Sequence, residues 1–473
     1  MNKNAIQKFA VWARTEMIDQ VKQRAYQYGI TEESYGEEDA VTANGRALST
    51  DEQRQRATLV QQIKAKGYKQ VMEEVAYTWF NRFIALRFME VNNYLPSHVR
   101  IFSDANGAFK PEILGDVLHL DLEGLDQTKV AAYIEQNQTD ALYRYLLLTQ
   151  CNALNSALPG MFERLGSYTE LLLPNNILKP DGILGRLVTD IPEEDWHDQV
   201  QIIGWLYQYY NEELKEETYA LLKKNVKVTK ERIPSATQLF TPDWIVRYMV
   251  ENSLGRLAMS GQCTGNSEEE RIEQEKAFAE KMGWKYYLTE AAQEPDVRAQ
   301  LDALTTTHPP QAIKLIDPCM GSGHILVYAF DVLMQIYEAG GISQRDAAQQ
   351  ILQHNLYGLD IDDRAAQLAY FAVMMKARQY DRRIFTRGIQ PHLYALQNSQ
   401  PLHEGAWGYL GDAEPVARQL WEAFQDAKEV GSLLPLNLTL QDLAILRNRL
   451  AEMDGDSTMG SLSTQAYIGH FIH

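Results

Sequence analysis

The feature that most constrains the fold of this 473-residue chain is a glycine-rich turn between a strand and a helix. Residues 312–316 (AIKLI) predict a short apolar strand, residues 317–323 (DPCMGSG) a turn, and residues 324–339 a helix. Glycine lets a backbone adopt unusual dihedral angles and come close to a ligand. In open α/β sheets, ligands bind at the carboxyl ends of the strands. The pattern therefore predicts an α/β domain with a ligand site at this turn.

The residues around the turn restrict the chemistry of that ligand. Asp317, at the end of the predicted strand, favours a ligand with a positive amino group or a hydroxyl over a pyrophosphate. A nicotinamide or flavin site normally has a third small residue three positions after Gly323, where this chain has Leu326. This difference disfavours a nicotinamide oxidoreductase. A phosphate-binding P-loop needs Gly-Lys-Ser/Thr, which is absent. A chance Gly-Ser-Gly turn remains the structural alternative, and the flanking strand and helix argue against it.

Two further segments could contribute to this site. Residues 356–361 (LYGLDI) predict a second strand, and Asp360 at its end could accept hydrogen bonds from both ribose hydroxyls of a nucleoside. The structural alternative is that Asp360 or Asp362 caps the next helix. Residues 240–242 (FTP) precede a helix that starts near Asp243, where Thr241 could simply be the N-cap.

The region before residue 235 predicts a helical domain. Apolar residues recur at helical spacing over residues 6–21, a second helix capped by Ser49, Thr50 or Asp51 runs to Gln62, and a third spans residues 68–94. The aromatic residues of the third helix and of residues 205–210 could contact ligands or bases. Without a surrounding basic cluster, packing in a core or interface is the better interpretation.

The remainder of the chain predicts an α/β region and a tail. We expect this α/β domain over residues 236–400, interrupted by a charged, solvated insertion at about 259–309. Within it, a helix begins at Gln344 with Ser343 as its cap, and residues 392–396 (HLYAL) could form a third strand. Residues 401–473 read as a helical insertion or tail.

The amino-acid composition limits which binding partners and which cellular compartment we expect. The chain has 45 Lys and Arg against 63 Asp and Glu, a formal net charge of −18, which argues against nucleic-acid binding through the overall field but permits a local basic groove. Three widely spaced cysteines, without a CxxC pair, argue against a disulfide framework and a structural zinc site. We found no signal peptide and no apolar run of membrane-spanning length, so we expect a soluble cytoplasmic protein without a membrane partner.

The three motifs, in the order FTP, DPCMGSGHIL and GLDID, together resemble the cofactor half of S-adenosylmethionine-dependent DNA adenine-N6 methyltransferases of the gamma arrangement. The resemblance implies a Rossmann-like methyltransferase domain after the helical domain and S-adenosyl-L-methionine as cofactor. The residues that it assigns to cofactor binding are Phe240, Thr241, Pro242, Asp317, Pro318, Gly321, Ser322, Gly323, Asp360 and Ile361. By this resemblance, Asp317 and the Gly321–Gly323 turn would hold the methionine part with help from Thr241. Asp360 would bind the ribose, and Gln397 or Asn398 would flank the adenine.

Longer segments resemble one group within that class. Residues 5–14 (AIQKFAVWAR), 76–96 (AYTWFNRFIALRFMEVNNYLP) and 202–211 (IIGWLYQYYN) are similar to the PglX family, the methyltransferases of BREX phage-exclusion systems. The likeness extends over essentially the whole chain. It implies site-specific methylation of double-stranded DNA, with other BREX proteins and a phage-encoded inhibitor as partners.

A second motif of adenine-N6 transfer is missing from the sequence. That motif is Asn/Asp/Ser-Pro-Pro-aromatic, whose polar groups accept hydrogen bonds from the target amino group while the ring stacks on the flipped base. The one Pro-Pro pair, in residues 308–311 (HPPQ), has neither group and predicts a turn.

We therefore expect the amino-terminal part of a larger protein, with an incomplete methyltransferase domain, no catalytic residue of its own and most of the DNA contacts elsewhere. His470 and His473 have a spacing that could suggest a metal, but a ragged chain end is the better interpretation and no metal site is expected. The competing hypothesis is a non-catalytic docking module, which the acidic balance and the large helical surfaces would suit.

Overall fold

The computed structural model describes residues 1–115, 117–162, 167–229, 232–260, 262–263, 265, 267–304, 308–399, 407–434 and 436–455. The chain forms two compact units. The first comprises Met1–Gly358 and Arg364–Leu393, and the second comprises Leu359–Asp363 and Tyr394–His473. The domain boundary predicted near residue 235 falls within the first unit.

The first unit begins with a helical region that includes one short antiparallel hairpin, β1 (Thr42–Ala43) and β2 (Arg46–Ala47). Its α-helices are α1 (Lys3–Gln27), α2 (Thr50–Lys66), α3 (Tyr68–Val91), α4 (Glu112–Gly115), α5 (Gln127–Glu135), α6 (Thr139–Ala153), α7 (Tyr168–Leu171), α8 (Ile183–Asp190), α9 (Gln201–Tyr210), α10 (Glu212–Lys223) and α11 (Ile233–Thr237). A 3₁₀ turn lies at Glu193–Asp195.

The first three helices follow the sequence pattern closely. The predicted apolar stripe of α1 is fully buried, and α1 packs against α3, α8 and α9. At α2, Ser49 is the N-cap: its hydroxyl accepts a hydrogen bond from the Glu52 amide at 3.2 Å, and Glu52 accepts one from the Ser49 amide at 2.9 Å. The helix continues past Gln62 to Lys66, where Gly67 ends it.

Helix α3 is more deeply buried than an amphipathic helix. Its predicted stripe lies in the core, and so do the charged residues Arg87 and Glu90, which pair at 2.6 Å with fully buried side chains. Glu90 also accepts hydrogen bonds from the amides of Ile101 and Phe102, both at 2.8 Å. A buried charge is tolerated only when it is paired and hydrogen-bonded. The helix ends at Val91 rather than near Tyr94, because Asn93 has a positive φ of 55°.

The α/β region follows in the first unit. Its α-helices are α12 (Asp243–Val250), α13 (Arg256–Met259), α14 (Glu268–Met282), α15 (Pro295–Leu304), α16 (His324–Ala339), α17 (Gln344–Gln350) and α18 (Asp363–Tyr380). Two π-helical segments, Glu251–Gly255 and Ile351–Asn355, and the 3₁₀ turns Pro310–Ala312 and Ile384–Thr386 complete it. The charged insertion is solvated as predicted, since Ala279 is the one buried residue of α14.

A small sheet is formed by β3 (Leu315–Asp317), β4 (Leu356–Asp360) and β5 (His392–Ala395), in the order β3-β4-β5. Strands β3 and β4 are parallel, and Asp317 lies opposite Gly358. A mostly helical chain with a small parallel sheet agrees with the predicted combination of helical and α/β regions. The prediction that β3 begins at Ala312 was wrong, because Pro310–Ala312 is a 3₁₀ turn whose Pro310 carbonyl accepts a hydrogen bond from the Asn355 side chain at 2.7 Å.

The second unit has its own core. Its α-helices are α19 (Glu414–Ala423), α20 (Ala427–Val430) and α21 (Leu440–Gly455), with 3₁₀ segments at Gly408–Ala413 and Gly431–Leu433. Trp407, Leu410 and Leu446 are buried together, and Trp421 packs edge-on against Trp407 with ring centroids 6.0 Å apart. The described part of the predicted helical tail is thus helical. His470 and His473 lie outside the described residues.

Among the described residues, no helix is both long and apolar enough to cross a membrane.

Candidate functional site

The glycine turn lies between β3 and α16, where the sequence predicted it. Asp317 ends β3, is 6% exposed, and accepts a hydrogen bond from the Cys319 amide at 3.1 Å. Burial raises the pKa of the Asp317 carboxyl, and the Cys319 hydrogen bond offsets part of that effect. Since an adjacent cation stabilises a buried carboxylate, this position favours a positively charged ligand group.

Two glycines of the turn have left-handed backbone conformations, with φ of +52° at Gly321 and +81° at Gly323. Gly323 is the residue before α16, and a Cβ there would lie 3.0 Å from Ala369 on α18. At Gly321 a Cβ would meet no atom within 4 Å. Gly321 is therefore required for its dihedral angles alone, and Gly323 for both its dihedral angles and its close packing.

A third glycine supports the turn from the neighbouring strand. Gly358 of β4 is buried, and a Cβ there would collide with the Met320 sulfur and lie 2.9 Å from Leu326. The absence of a side chain at Gly358 lets Met320, in the middle of the turn, pack directly on the sheet.

The FTP segment is packed against the start of α16. The Phe240 ring is 6% exposed and stacks on His324 with centroids 4.4 Å apart and an interplanar angle of 11°. The Phe240 ring also meets Trp205 edge-on, with ring centroids 4.6 Å apart. The Thr241 carbonyl accepts a hydrogen bond from His324 Nδ1 at 3.0 Å.

The prediction that Thr241 could be a helix N-cap was wrong. Helix α12 begins at Asp243, so its N-cap position is Pro242, which offers no capping side chain. The Pro242 carbonyl accepts the first helical hydrogen bonds, from the amides of Ile245 and Val246, whereas the Thr241 carbonyl is occupied by His324.

Helix α9 fixes the FTP segment in place. The Phe240 amide donates to Gln208 Oε1 at 3.1 Å, and Gln201 donates to Asp243 at 3.0 Å. Gly204 makes room for the ring, since a Cβ there would lie 2.7 Å from Phe240 Cδ2 and Cζ. The aromatic residues of α9 therefore have the packing role that the sequence favoured.

His324 is the residue that the sequence did not assign to the site. It belongs to the DPCMGSGHIL motif, but a histidine at the first position of a helix is no signal by itself. Its contact with Thr241 spans 83 positions of sequence, so only the tertiary structure brings the two together. Asp317, Pro318, Gly321, Ser322 and Gly323 are near it along the chain.

Asp360 and Ile361 belong to the second unit. Asp360 ends β4, its carboxylate accepts a hydrogen bond from the Asp362 amide at 2.9 Å, and its carbonyl accepts one from the Leu396 amide at 2.8 Å. Asn398, predicted as one of two residues beside an adenine, accepts a hydrogen bond from the Lys428 amide at 2.9 Å. The other, Gln397, donates to Asp363.

Two further predictions concern residues outside this arrangement. Within the part of the chain that the structure describes, no three His, Cys, Asp or Glu side chains are grouped to hold a metal ion. The HPPQ segment leads through the 3₁₀ turn Pro310–Ala312 toward β3, in agreement with the predicted turn.

Comparison with known proteins shows which family this chain resembles. A family model described as "MmeI, DNA-methyltransferase domain" matches residues 292–432. The match includes the glycine turn and Asp360 but begins after the FTP segment.

Two curated relatives are similar over nearly all of this chain. "Adenine-specific methyltransferase BrxX" of Escherichia coli O9:H4 (strain HS) is 40% identical over 477 residues, which cover 98% of this chain and 38% of the relative. "Adenine-specific methyltransferase PglX" of Lacticaseibacillus casei (strain Zhang) is 37% identical over 499 residues, which cover 98% and 40%. The resemblance to PglX is confirmed, and the chain spans about two fifths of the length of these relatives.

Proposed function

We propose that this chain is the S-adenosylmethionine-binding portion of a site-specific DNA adenine-N6 methyltransferase of a BREX phage-exclusion system. The observation that carries the proposal is the glycine turn between β3 and α16, with the buried Asp317 at its entrance. The names of the two relatives support the enzymatic hypothesis over the docking module.

The residues present fit this cofactor. S-adenosylmethionine carries an amino group, a ribose and a methyl group on a positive sulfur, and it supplies that methyl group. Asp317 is a buried acceptor suited to the amino group, and the backbone at Gly321 and Gly323 can approach a ligand closely. By the resemblance, Asp360 would accept hydrogen bonds from the ribose, and the Phe240–Pro242 segment, whose Thr241 carbonyl is bound by His324, would also contribute.

The rest of the proposal concerns the whole protein. The sheet would be part of a Rossmann-like methyltransferase domain, the substrate would be an adenine of double-stranded DNA, and the location would be the cytoplasm. Other BREX proteins and a phage-encoded inhibitor would bind elsewhere on the protein. Because these 473 residues contain no Asn/Asp/Ser-Pro-Pro-aromatic motif, the groups that accept the target amino group would lie outside them.

Isothermal titration calorimetry of the 473-residue protein with S-adenosylmethionine and with S-adenosylhomocysteine tests the proposal. We expect both to bind, and Asp360→Ala to bind at least about tenfold more weakly, because it loses charge-assisted hydrogen bonds. Asp19→Ala, which removes an exposed carboxylate of α1, is the matched control and should bind as the parent does. A folded parent protein that bound neither ligand would refute the proposal.

A further inference from the structure

His324 connects the glycine turn to the FTP segment. His324 is the first residue of α16 and directly follows Gly323. Its side chain is 7% exposed, and Nδ1 lies 3.0 Å from the carbonyl oxygen of Thr241. One side chain thus joins the glycine turn to a segment 83 positions earlier in the sequence.

The contact determines the tautomer of the imidazole. A carbonyl oxygen can only accept, so Nδ1 must carry the hydrogen. In the neutral ring Nε2 is then an acceptor, and it has no hydrogen-bond partner among the described residues. The nearest carboxylate oxygen, Oδ1 of Asp243, is 3.9 Å away. Burial lowers the pKa of His324, more than the Thr241 carbonyl and Asp243 raise it, which favours this neutral form.

The ring is also held by packing. It stacks on Phe240 at 4.4 Å, and Phe240 is in turn held by Trp205 and by the gap at Gly204. Any large apolar side chain at position 324 could preserve part of this packing. A side chain without a donor would nevertheless leave the Thr241 carbonyl without its hydrogen bond.

We propose that His324 is a positioning residue of the cofactor site, which in its Nδ1–H tautomer fastens the Thr241 backbone to the start of α16. This inference rests on the proposed function, because it presumes that the FTP segment and the glycine turn bind the same cofactor. Its physical basis is preorganisation: two loops that are fastened together lose less freedom when a ligand bridges them. His324 itself need not touch the ligand.

Three variants separate the hydrogen bond from the ring. Asparagine places an amide donor near the position of Nδ1, glutamine places it one atom farther along, and leucine has no donor. We expect His324→Asn to bind S-adenosylmethionine nearly as the parent does, and His324→Gln and His324→Leu to bind about three- to tenfold more weakly. The inference fails if His324→Leu binds as tightly as the parent, or if glutamine restores affinity and asparagine does not.

A matched control is available in the same unit. His392 also stacks on an aromatic ring, that of Tyr357 at 4.9 Å, and its Nε2 lies 3.0 Å from the Gln353 carbonyl. His392→Leu should leave S-adenosylmethionine affinity unchanged. If it weakened binding as much as His324→Leu, the effect would be a general one of losing a packed histidine, and the inference would be overturned.

A spectroscopic measurement tests the tautomer in the parent protein itself. In ¹⁵N-histidine NMR spectra of the parent protein, with His324→Asn used for assignment, we expect a protonated Nδ1 and a bare Nε2. The opposite tautomer would overturn the inference. The proposed function is tested apart from it: absence of binding by the folded parent refutes both, whereas binding that Asp360→Ala weakens and His324→Leu does not refutes the inference alone.

Discussion

At the scale of single residues, the proposed site contains a charged side chain in a buried position and a backbone conformation that most residues avoid. Asp317 is a carboxylate in a buried position, and Gly323 has backbone angles and a spacing that other residues do not tolerate. Burial of the ionised Asp317 carboxylate costs stability in the free protein. Such costs are expected where residues are kept for binding.

Asp317→Asn should separate binding from stability. Because burial raises the folded-state pKa above that of the unfolded chain, the ionised carboxylate destabilises the folded protein at neutral pH. Asparagine keeps the oxygen that accepts from the Cys319 amide but carries no charge. We therefore expect an unchanged or higher melting temperature by calorimetry, and S-adenosylmethionine binding weaker by about tenfold or more.

The pH dependence of binding provides the check on Asp317. In the parent, affinity should fall as the pH falls through the raised pKa of Asp317, because the carboxylate that attracts the amino group is lost. In Asp317→Asn this component should be absent. Equal affinities for parent and variant at neutral pH would contradict the assigned role.

Gly323→Ala and Gly321→Ala form a matched pair. Both place an alanine at positive φ, which costs about 1 kcal/mol, but only at position 323 would the new Cβ lie 3.0 Å from Ala369. We expect the free energy of unfolding, measured with urea, to decrease more for Gly323→Ala, by about 1–3 kcal/mol beyond the paired variant. Equal losses would show that α18 does not restrict the turn.

At the scale of elements, the helical region and the α/β region meet at the FTP segment. Helix α9 supplies the Gln208 acceptor for the Phe240 amide, the Trp205 ring and the open position at Gly204. The FTP segment is thus held from the helical region through α9 and from the α/β region through His324 of α16.

Gly204→Ala tests that support. Alanine ordinarily stabilises a helix interior by about 1 kcal/mol relative to glycine. Here the added Cβ would overlap the Phe240 ring, so we expect a loss of about 1–3 kcal/mol in the free energy of unfolding, together with weaker cofactor binding.

Two comparisons make the Gly204 experiment specific. Gly115→Ala, at the end of α4 where a Cβ would meet nothing within 4 Å, should not destabilise the protein. In a Phe240→Ala background, Gly204→Ala should no longer destabilise, which a double-mutant cycle would measure. Additive losses would mean that Gly204 acts independently of Phe240.

At the scale of the whole molecule, the net charge of −18 has to be reconciled with the proposed cofactor site of a DNA-modifying enzyme. An acidic chain gains little from DNA phosphates through its overall field. Cofactor binding requires only a local site, so the two observations are compatible. The proposed division of labour is cofactor binding within these residues and most DNA contacts outside them.

Binding without transfer is the corresponding prediction. We expect the 473-residue protein to bind S-adenosylmethionine but to transfer no radiolabelled methyl group to double-stranded DNA, because these residues contain no Asn/Asp/Ser-Pro-Pro-aromatic motif. Calorimetry on the same preparation controls for a competent cofactor site. Label incorporated into adenine would show that other residues of this chain perform the transfer.

The sequence by itself determined the local features: the stripe of α1, the Ser49 cap, the strand–turn–helix pattern around Gly321 and the resemblance to PglX. These depend on neighbouring residues and on periodicity, which a chain displays directly. The tertiary structure decided the rest. In the structure, β3 begins at Leu315 rather than at the predicted Ala312, and Pro242 rather than Thr241 is the N-cap of α12. His324 binds the Thr241 carbonyl, a contact that the sequence did not predict. Contacts across 83 positions depend on which surfaces pack together, and no local pattern encodes them.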